Sequence, residues 1–301
     1  MTLALIAGRG GLPAAVAGAQ STMPLIFALD GFMPEGLALD GSFRIEHLGS
    51  LVGRLKELSV DEVCLCGGID RPMIDPARID AATLPLVPVM MQAMAQGDDG
   101  ALRAVIAIFE QAGLTVRAAH TLAPDLLPPK GVPTRAAPDV AALVENVALA
   151  QETLAHMGRA DLGQACVLRA GAVIAREDVA GTDAMLERIT AKQAPSDQAG
   201  DPFTWTTDLV GDALGAAADW LSGIDVPQPA DRAGGFLFKA PKPGQDRRAD
   251  LPTIGPRTAM AAAAAGLDGI VIEAGGVIVL DRAEVIDILD RMQMYLWVRP
   301  A

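Results

Sequence analysis

Short apolar runs recur along the first 120 positions, each closed by glycines or an acid and followed by a longer stretch with apolar residues every three or four. Residues 3–7 (LALIA) form an uninterrupted apolar run, the pattern of a strand buried on both faces. Pro13 suits the first turn of a helix, where its missing N–H costs nothing, so residues 13–19 read as that helix. Residues 24–29 read as a second strand ending at Asp30, 51–58 as a helix, and 62–66 as a strand ending in Gly67-Gly68. Residues 84–96 read as a helix interrupted by Pro88. Asp98 or Asp99 caps a helix over 101–113, and 115–118 returns as a strand. Strands alternating with helices predict a doubly wound, Rossmann-like parallel sheet over residues 1–130.

The stretch "LLPPKGVPT" (126–134) reads as a linker. Beyond it, a helix is expected over 138–156, strands over 165–169 and 173–175, and a helix after "GTD" (181–183). A strand over 236–239, a helix over 256–265 closed by Gly266, strands over 269–273 and 277–280, and a helix over 282–292 complete the chain. This predicts a second, mixed α/β domain over 131–301. Residues 191–234 break the rhythm and read as an insertion holding two of the three tryptophans. Trp205, Leu209, Val210, Leu214 and Leu221 could form an apolar face there, to cover acyl chains, touch a membrane surface or pack on a second subunit.

Composition narrows the partners. The 301 residues are 51% hydrophobic, enough for a proper core, and carry a net charge of −13. That charge argues against nucleic-acid binding, which needs a basic face, and against broad adhesion to anionic membranes. An anionic substrate would then need a few local cations or a bound metal. Cys64, Cys66 and Cys166 sit in apolar strand patterns and read as buried, reduced thiols. With no leader-like segment and no apolar stretch fit to span a bilayer, a cytoplasmic protein is expected.

The chemistry begins in "LALIAGRGGLP". A dinucleotide fingerprint wants G-x-G-x-x-G. Gly8 and Gly10 fit, and Asp30 stands where a ribose-binding acid would, but Pro13 takes the third glycine's place. A glycine-rich turn into a helix still offers backbone N–H groups to an anion. The other concentration is "KAPKPGQDRRADLPTIGPRT" (239–258), two lysines, three arginines and two aspartates between a strand and a helix start. Lys239 and Lys242 could neutralise a diphosphate, and Asp246 and Asp250 could hold a divalent ion.

These stretches, with "GGIDRP" (67–72), "GDDGALR" (97–103), "DLGQACV" (161–167), "GTDAMLERI" (181–189) and "GLDGIVIEAGGVIVLDR" (266–282), occur in an order that resembles the bacterial UDP-2,3-diacylglucosamine pyrophosphatase family of lipid A synthesis, the LpxI type. The resemblance spans nearly the whole chain except about 191–234. It implies two domains with the substrate between them. It also implies metal-dependent hydrolysis of the diphosphate of UDP-2,3-diacylglucosamine to UMP and 2,3-diacylglucosamine 1-phosphate. Mg²⁺ or Mn²⁺ is the implied cofactor and a lipid-linked nucleotide sugar the implied partner. Peripheral contact with the inner face of the inner membrane and self-association stay open.

The resemblance matches Asp250 to an aspartate essential for turnover, beside Lys239, Lys242 and Asp246 as catalytic groups. The metal set is drawn from Asp250, Asp246, Asp183 and Glu177. Substrate contacts fall to Gly8, Gly10, Gly11 and Leu12 of the first loop, to Gly67, Gly68 and Arg71, and to Asp98 and Asp99. In the second half they fall to Gln164, Thr182, Gln245, Thr253 and Glu273. Duller roles stand beside these: Thr182 and Asp183 as caps of a helix from Ala184, and Asp98 and Asp99 as caps of the next one. The sequence departs from the family's "E-x-x-E-G-T-D" at Ala180, so Glu177 or Asp178 would have to supply a lost carboxylate. His47, His120 and His156 fall in no constellation. A non-catalytic nucleotide-sugar binder and a dinucleotide-dependent oxidoreductase are the alternative readings.

Overall fold

A computed structural model describes residues 1–70, 72–94, 97–160, 162–193 and 232–300. The first half holds a five-stranded parallel sheet in the order β3-β2-β1-β4-β5, built from β1 (Leu3–Ala7), β2 (Leu25–Leu29), β3 (Gly41–Phe43), β4 (Glu62–Cys66) and β5 (Thr115–Val116). Helices α1 (Leu12–Gly18), α2 (Leu48–Glu57), α3 (Val87–Met94), α4 (Asp98–Gln111) and α5 (Ala119–Leu122) connect and cover it. Strand β1 is central because its Leu5 and Ala7 face one layer while Ala4 and Ile6 face the other. Leu51, Leu55, Ile106 and Phe109 cover the Ala4/Ile6 face, from α2 and α4. Val16 and Ala17 of α1 and Ala119 of α5 cover the Leu5/Ala7 face, over Cys64 and Cys66.

Chain order reverses between β1 and β4, so the connections that follow these neighbours run to opposite sides of the sheet and leave a crevice at the strands' carboxyl ends. The doubly wound Rossmann-like sheet expected from the alternation is therefore present. Strand β3 was not expected; three residues at a sheet edge are too few to show a period. Pro88 does not interrupt a helix. A 3₁₀ turn over Leu84–Leu86 precedes it, and Pro88 stands in the first turn of α3. Asp98 and Asp99 do not cap α4 either: Gly97 precedes the helix at φ 93°, and both aspartates lie in its first turn.

The second half carries α6 (Val140–Arg159), the hairpin β6 (Ala165–Arg169) and β7 (Ala172–Arg176), α7 (Gly181–Gln193) and β8 (Phe236–Lys239). After these come β9 (Thr253–Ile254), α8 (Pro256–Ala264), β10 (Gly269–Glu273), β11 (Ile278–Val279), α9 (Arg282–Arg291) and β12 (Tyr295–Arg299). Its sheet runs β12-β10-β8-β6-β7, parallel among the first three and antiparallel across β8-β6-β7. Helix α6 packs on one face through Ala150, Leu154 and Met157. Helices α7, α8 and α9 pack on the other through Leu186, Ala259 and Leu289. This is the expected mixed α/β arrangement. Strand β12 and strand β9, which pairs with the expected strand β11 in a separate two-stranded sheet, are additions to it.

The stretch read as a linker is tied down. Gly131 exchanges backbone hydrogen bonds with Val298 of β12 at 2.8 and 2.9 Å. Thr134 Oγ1 accepts from the Leu296 N–H at 2.9 Å. Ile278, Leu251 and Leu280 from the second half pack into the α1-side layer of the first sheet, so the halves share one apolar cluster. All three cysteines are buried and unpaired, as their strand positions implied. No helix among the described residues is long and apolar enough to cross a membrane. Residues 194–231, with Trp205 and the expected apolar face, lie outside the described residues, as does Arg71.

Candidate active site

The crevice at the β1/β4 switch point is built from glycines that let two loops touch. Gly8 N–H donates to the Cys66 carbonyl at 2.8 Å, and Arg9 and Gly68 exchange backbone hydrogen bonds at 2.9 Å each. Gly67 holds φ 96°, and a Cβ there would stand 2.6 Å from the Gly8 carbonyl oxygen. A Cβ on Gly8 would stand 2.6 Å from the Gly68 carbonyl oxygen. The two loops thus make one wall, on which Gly10, Gly11, Leu12, Gly67 and Gly68 face a cleft of about 490 Å³. Gly8 shapes this wall from behind.

The opposite wall comes from the second half. Its topology brings three motifs to one end of the sheet. Strand β6 runs antiparallel to both neighbours, so Gln164 just before it lies beside the ends of β7 and β8. Ala165 pairs with Lys239, and Glu177 N–H donates to the Ala165 carbonyl at 2.9 Å. Lysine 239 is 7% exposed, with its ammonium donating to Thr182 Oγ1 at 2.7 Å. Thr182 donates in turn to Glu177 Oε1 at 2.5 Å, and Glu177 Oε2 accepts from the Gln164 backbone N–H. Gly163 makes room for this: a Cβ there would meet the Glu177 side chain at 2.4 Å. Burial lowers the Lys239 pKa, opposed by the charges of Glu177, Asp183 and Asp250.

Asp250 is half-buried and lines the cleft. Its Oδ2 accepts from Gln164 Nε2 at 3.0 Å and from Gln245 Nε2. Gln245 Oε1 is held by the Lys242 backbone N–H at 2.9 Å. Burial raises the Asp250 pKa above the ordinary carboxylate value. The Lys242 charge and the two amides oppose that rise, and Asp99 adds to it. Five cationic side chains (Arg9, Lys239, Lys242, Arg247 and Arg248) line the cleft against three carboxylates, Glu177, Asp178 and Asp250. An acidic protein thus presents a locally basic cleft, suited to a ligand with several negative charges.

Several expected contacts lie elsewhere. Asp246 takes a fork of hydrogen bonds from Arg248, at 3.0 Å to Oδ1 and 2.7 Å to Oδ2, which holds its pKa down. Asp99 pairs with Arg103 at 2.7 Å rather than lining the cleft. Glu273 also stands off the cleft, holding Arg247 at 3.5 Å and Arg299 at 4.0 Å. Thr182 and Asp183 belong to the first turn of α7 and line a second cavity with Arg257 and Thr258, where Thr258 donates to Asp183 Oδ1 at 3.1 Å. Thr253 lines both cavities. Gln164 lines the cleft, whereas Gln245 is spent on Asp250 and the backbone of Lys242.

The expected metal set does not assemble. Asp246 is committed to Arg248, Asp183 to Thr258 and Arg257, and both oxygens of Glu177 to N–H and O–H donors. Asp250 Oδ2 faces two amides. Among the described residues no group of three or more His, Cys, Asp or Glu is arranged to hold a metal ion. Lone pairs aimed at donors do not form a ligand sphere, so these four residues do not fit a resident divalent ion.

Three cleft residues besides Arg248 escaped the sequence reading. Arg9 stands inside "GRGG", reaches Asp70 at 2.8 Å and lies 4.6 Å from the Phe32 ring centroid. Arg247 follows Asp246 in the basic stretch. His120, placed by α5, lines the cleft with a buried Nδ1 that has no partner. Burial and Arg247 lower its pKa, so the ring is neutral at pH 7. Position in the basic stretch could have flagged Arg247; nothing near His120 in sequence marks it.

The fold and cleft define a two-domain α/β protein with a cleft between a glycine wall and a polar, cationic wall. Residues 2–126 match the LpxI N-terminal domain model and residues 129–297 the LpxI C-terminal domain model. The chain is 32% identical over 303 aligned residues to UDP-2,3-diacylglucosamine pyrophosphatase LpxI of Caulobacter vibrioides (strain ATCC 19089 / CIP 103742 / CB 15), covering 98% of this chain and 96% of that one. The chain belongs to the LpxI family. This corrects the expectation of a metal-dependent hydrolase: the relative is named for its diphosphate hydrolysis, and neither that name nor the carboxylate geometry supplies a metal. A redox dinucleotide enzyme and a non-catalytic binder are set aside by the same match.

Proposed function

We propose that this chain hydrolyses the diphosphate of UDP-2,3-diacylglucosamine, a step of lipid A synthesis, giving UMP and 2,3-diacylglucosamine 1-phosphate. The observation that carries the reading is a near full-length match to a pyrophosphatase of that name, laid over a cleft whose cations converge beside a carboxylate of raised pKa. Arg9, Lys242 and Arg247 neutralise charge on the diphosphate, which builds up further as the anhydride bond breaks. Water attacks one phosphorus; its oxygen forms the new P–O bond while the bridging oxygen leaves with the other phosphate. Asp250 takes the proton of that water, a role its raised pKa suits better than an ordinary surface carboxylate.

The diacyl substrate is the lipid-linked partner, and its acyl chains have to leave the polar cleft toward solvent, bilayer or another protein surface. The deciding assay incubates the purified chain with UDP-2,3-diacylglucosamine and follows UMP. Separate arms contain EDTA, added magnesium and added manganese. UMP release in any arm supports the reading, and none in all three overturns it.

A further inference from the structure

Gln164, Thr182, Glu177 and Lys239 looked like separate contacts to substrate or metal, yet the structure joins them in one line. The Lys239 ammonium donates to the Thr182 hydroxyl, which donates to Glu177, which accepts from the Gln164 backbone N–H. The Gln164 side-chain amide then donates to Asp250 at 3.0 Å. Chemistry fixes the direction at each link. An ammonium only donates, a hydroxyl does both, and an ionised carboxylate only accepts, so the amide nitrogen of Gln164 must be the atom facing Asp250. That orientation leaves Gln164 Oε1 buried and without a partner among the described residues. Lys239, Thr182 and Glu177 are 7%, 6% and 9% exposed, so the line is shielded from water for most of its length.

We infer that this buried line is a positioning device: it fixes the rotamer of Asp250 through Gln164, and Thr182 is the link on which it depends. The inference rests on the hydrolase reading for its kinetic consequence but not for its geometry. Thr182 makes no contact with the cleft itself and belongs to the neighbouring cavity. Thr182→Val keeps the shape and cuts the line; Thr182→Ser keeps the hydroxyl.

The test compares wild type, Thr182→Val and Thr182→Ser by two readouts. The first is kcat and KM for UDP-2,3-diacylglucosamine. Thr182→Val is expected to lower kcat at least tenfold with KM changed less than threefold, because misplacing a reacting group costs rate rather than binding. Thr182→Ser restores kcat to within threefold of wild type. The second readout needs no turnover: the ¹⁵N and ¹H shifts of the Gln164 side-chain amide, which move in Thr182→Val and return in Thr182→Ser. Unchanged shifts, or equal loss of kcat in both variants, overturn the inference. A wild type that releases no UMP while the shifts still respond overturns the hydrolase reading and leaves the positioning line standing.

Discussion

The two walls of the cleft are made in opposite ways. The first-half wall is backbone: Gly8, Gly10, Gly11, Gly67 and Gly68 let two loops touch and leave little side chain in the way. The second-half wall is side chain: Gln164, Glu177, Lys239 and Asp250 lie within one hydrogen-bonded line. A backbone wall adapts to an anion's shape, with Arg9 and His120 as the first half's ionisable side chains beside it. A side-chain wall can hold a proton acceptor in place, which is what the chemistry needs. The division of labour follows: one wall seats the ligand and the other acts on it.

The largest effect expected from breaking this contrast comes from the acting wall. Asp250→Asn keeps the size and removes the proton acceptor. Turnover should fall about 10³-fold, within the range set by general acid–base groups, with binding of the substrate retained. A kcat within tenfold of wild type would remove Asp250 from the reaction. In wild type, the base must be ionised, and its pKa is raised from 3.8. Activity is therefore full above that raised pKa and falls as pH drops through it. The acid limb of the pH–kcat profile should sit above the ordinary aspartate value and vanish in Asp250→Asn.

The seating wall should respond in stability first. Gly67→Ala places a Cβ 2.6 Å from a backbone carbonyl at φ 96°, so both strain and a clash with an inflexible neighbour arise. The expected loss is about 3 kcal/mol, read from urea midpoints. Gly10→Ala has the same sign of φ, 87°, but meets open space, so only backbone strain remains, about 1 kcal/mol. If both substitutions cost the same, the loops are not in contact as described.

How much of this was legible in sequence follows the same division. The glycine wall was readable because its signal is local: an apolar run, then glycines, then a helix start, repeated at β1 and β4. The acting wall was readable only as residue types. Gln164 and Asp250 are 86 positions apart, and Lys239 and Thr182 57 apart. Nothing in either neighbourhood says that they bond to each other rather than to a ligand. Asp246 misled for the complementary reason: its partner Arg248 is two residues away, and the fork between them depends on a loop conformation that spacing does not encode. The short strands β3 and β9 were missed because two or three residues show no period, whereas β11 was read within 277–280.

The smallest effect compares two carboxylates of one protein. Glu46 is more deeply buried than Asp250, at 2% exposed, yet its pKa is lowered to about 2 while that of Asp250 is raised. Burial pushes both upward. Glu46 overcomes it by accepting from the Asp75 N–H at 2.8 Å and from Arg44 at 3.0 Å, a backbone donor and a cation in direct contact. Among the described residues the side chains that hydrogen-bond Asp250 are neutral amides, so burial wins there. For Glu46 the folded pKa lies below the unfolded one, so its contribution is complete above about pH 4.5 and is lost as pH falls toward about 2. Glu46→Gln should flatten the urea midpoint across that window and leave the pH–kcat profile in place. A wild-type midpoint that is already flat between those values would mean that the buried pairing of Glu46 with Arg44 is not made, and that paired and unpaired burial do not separate a structural carboxylate from a reacting one in this fold.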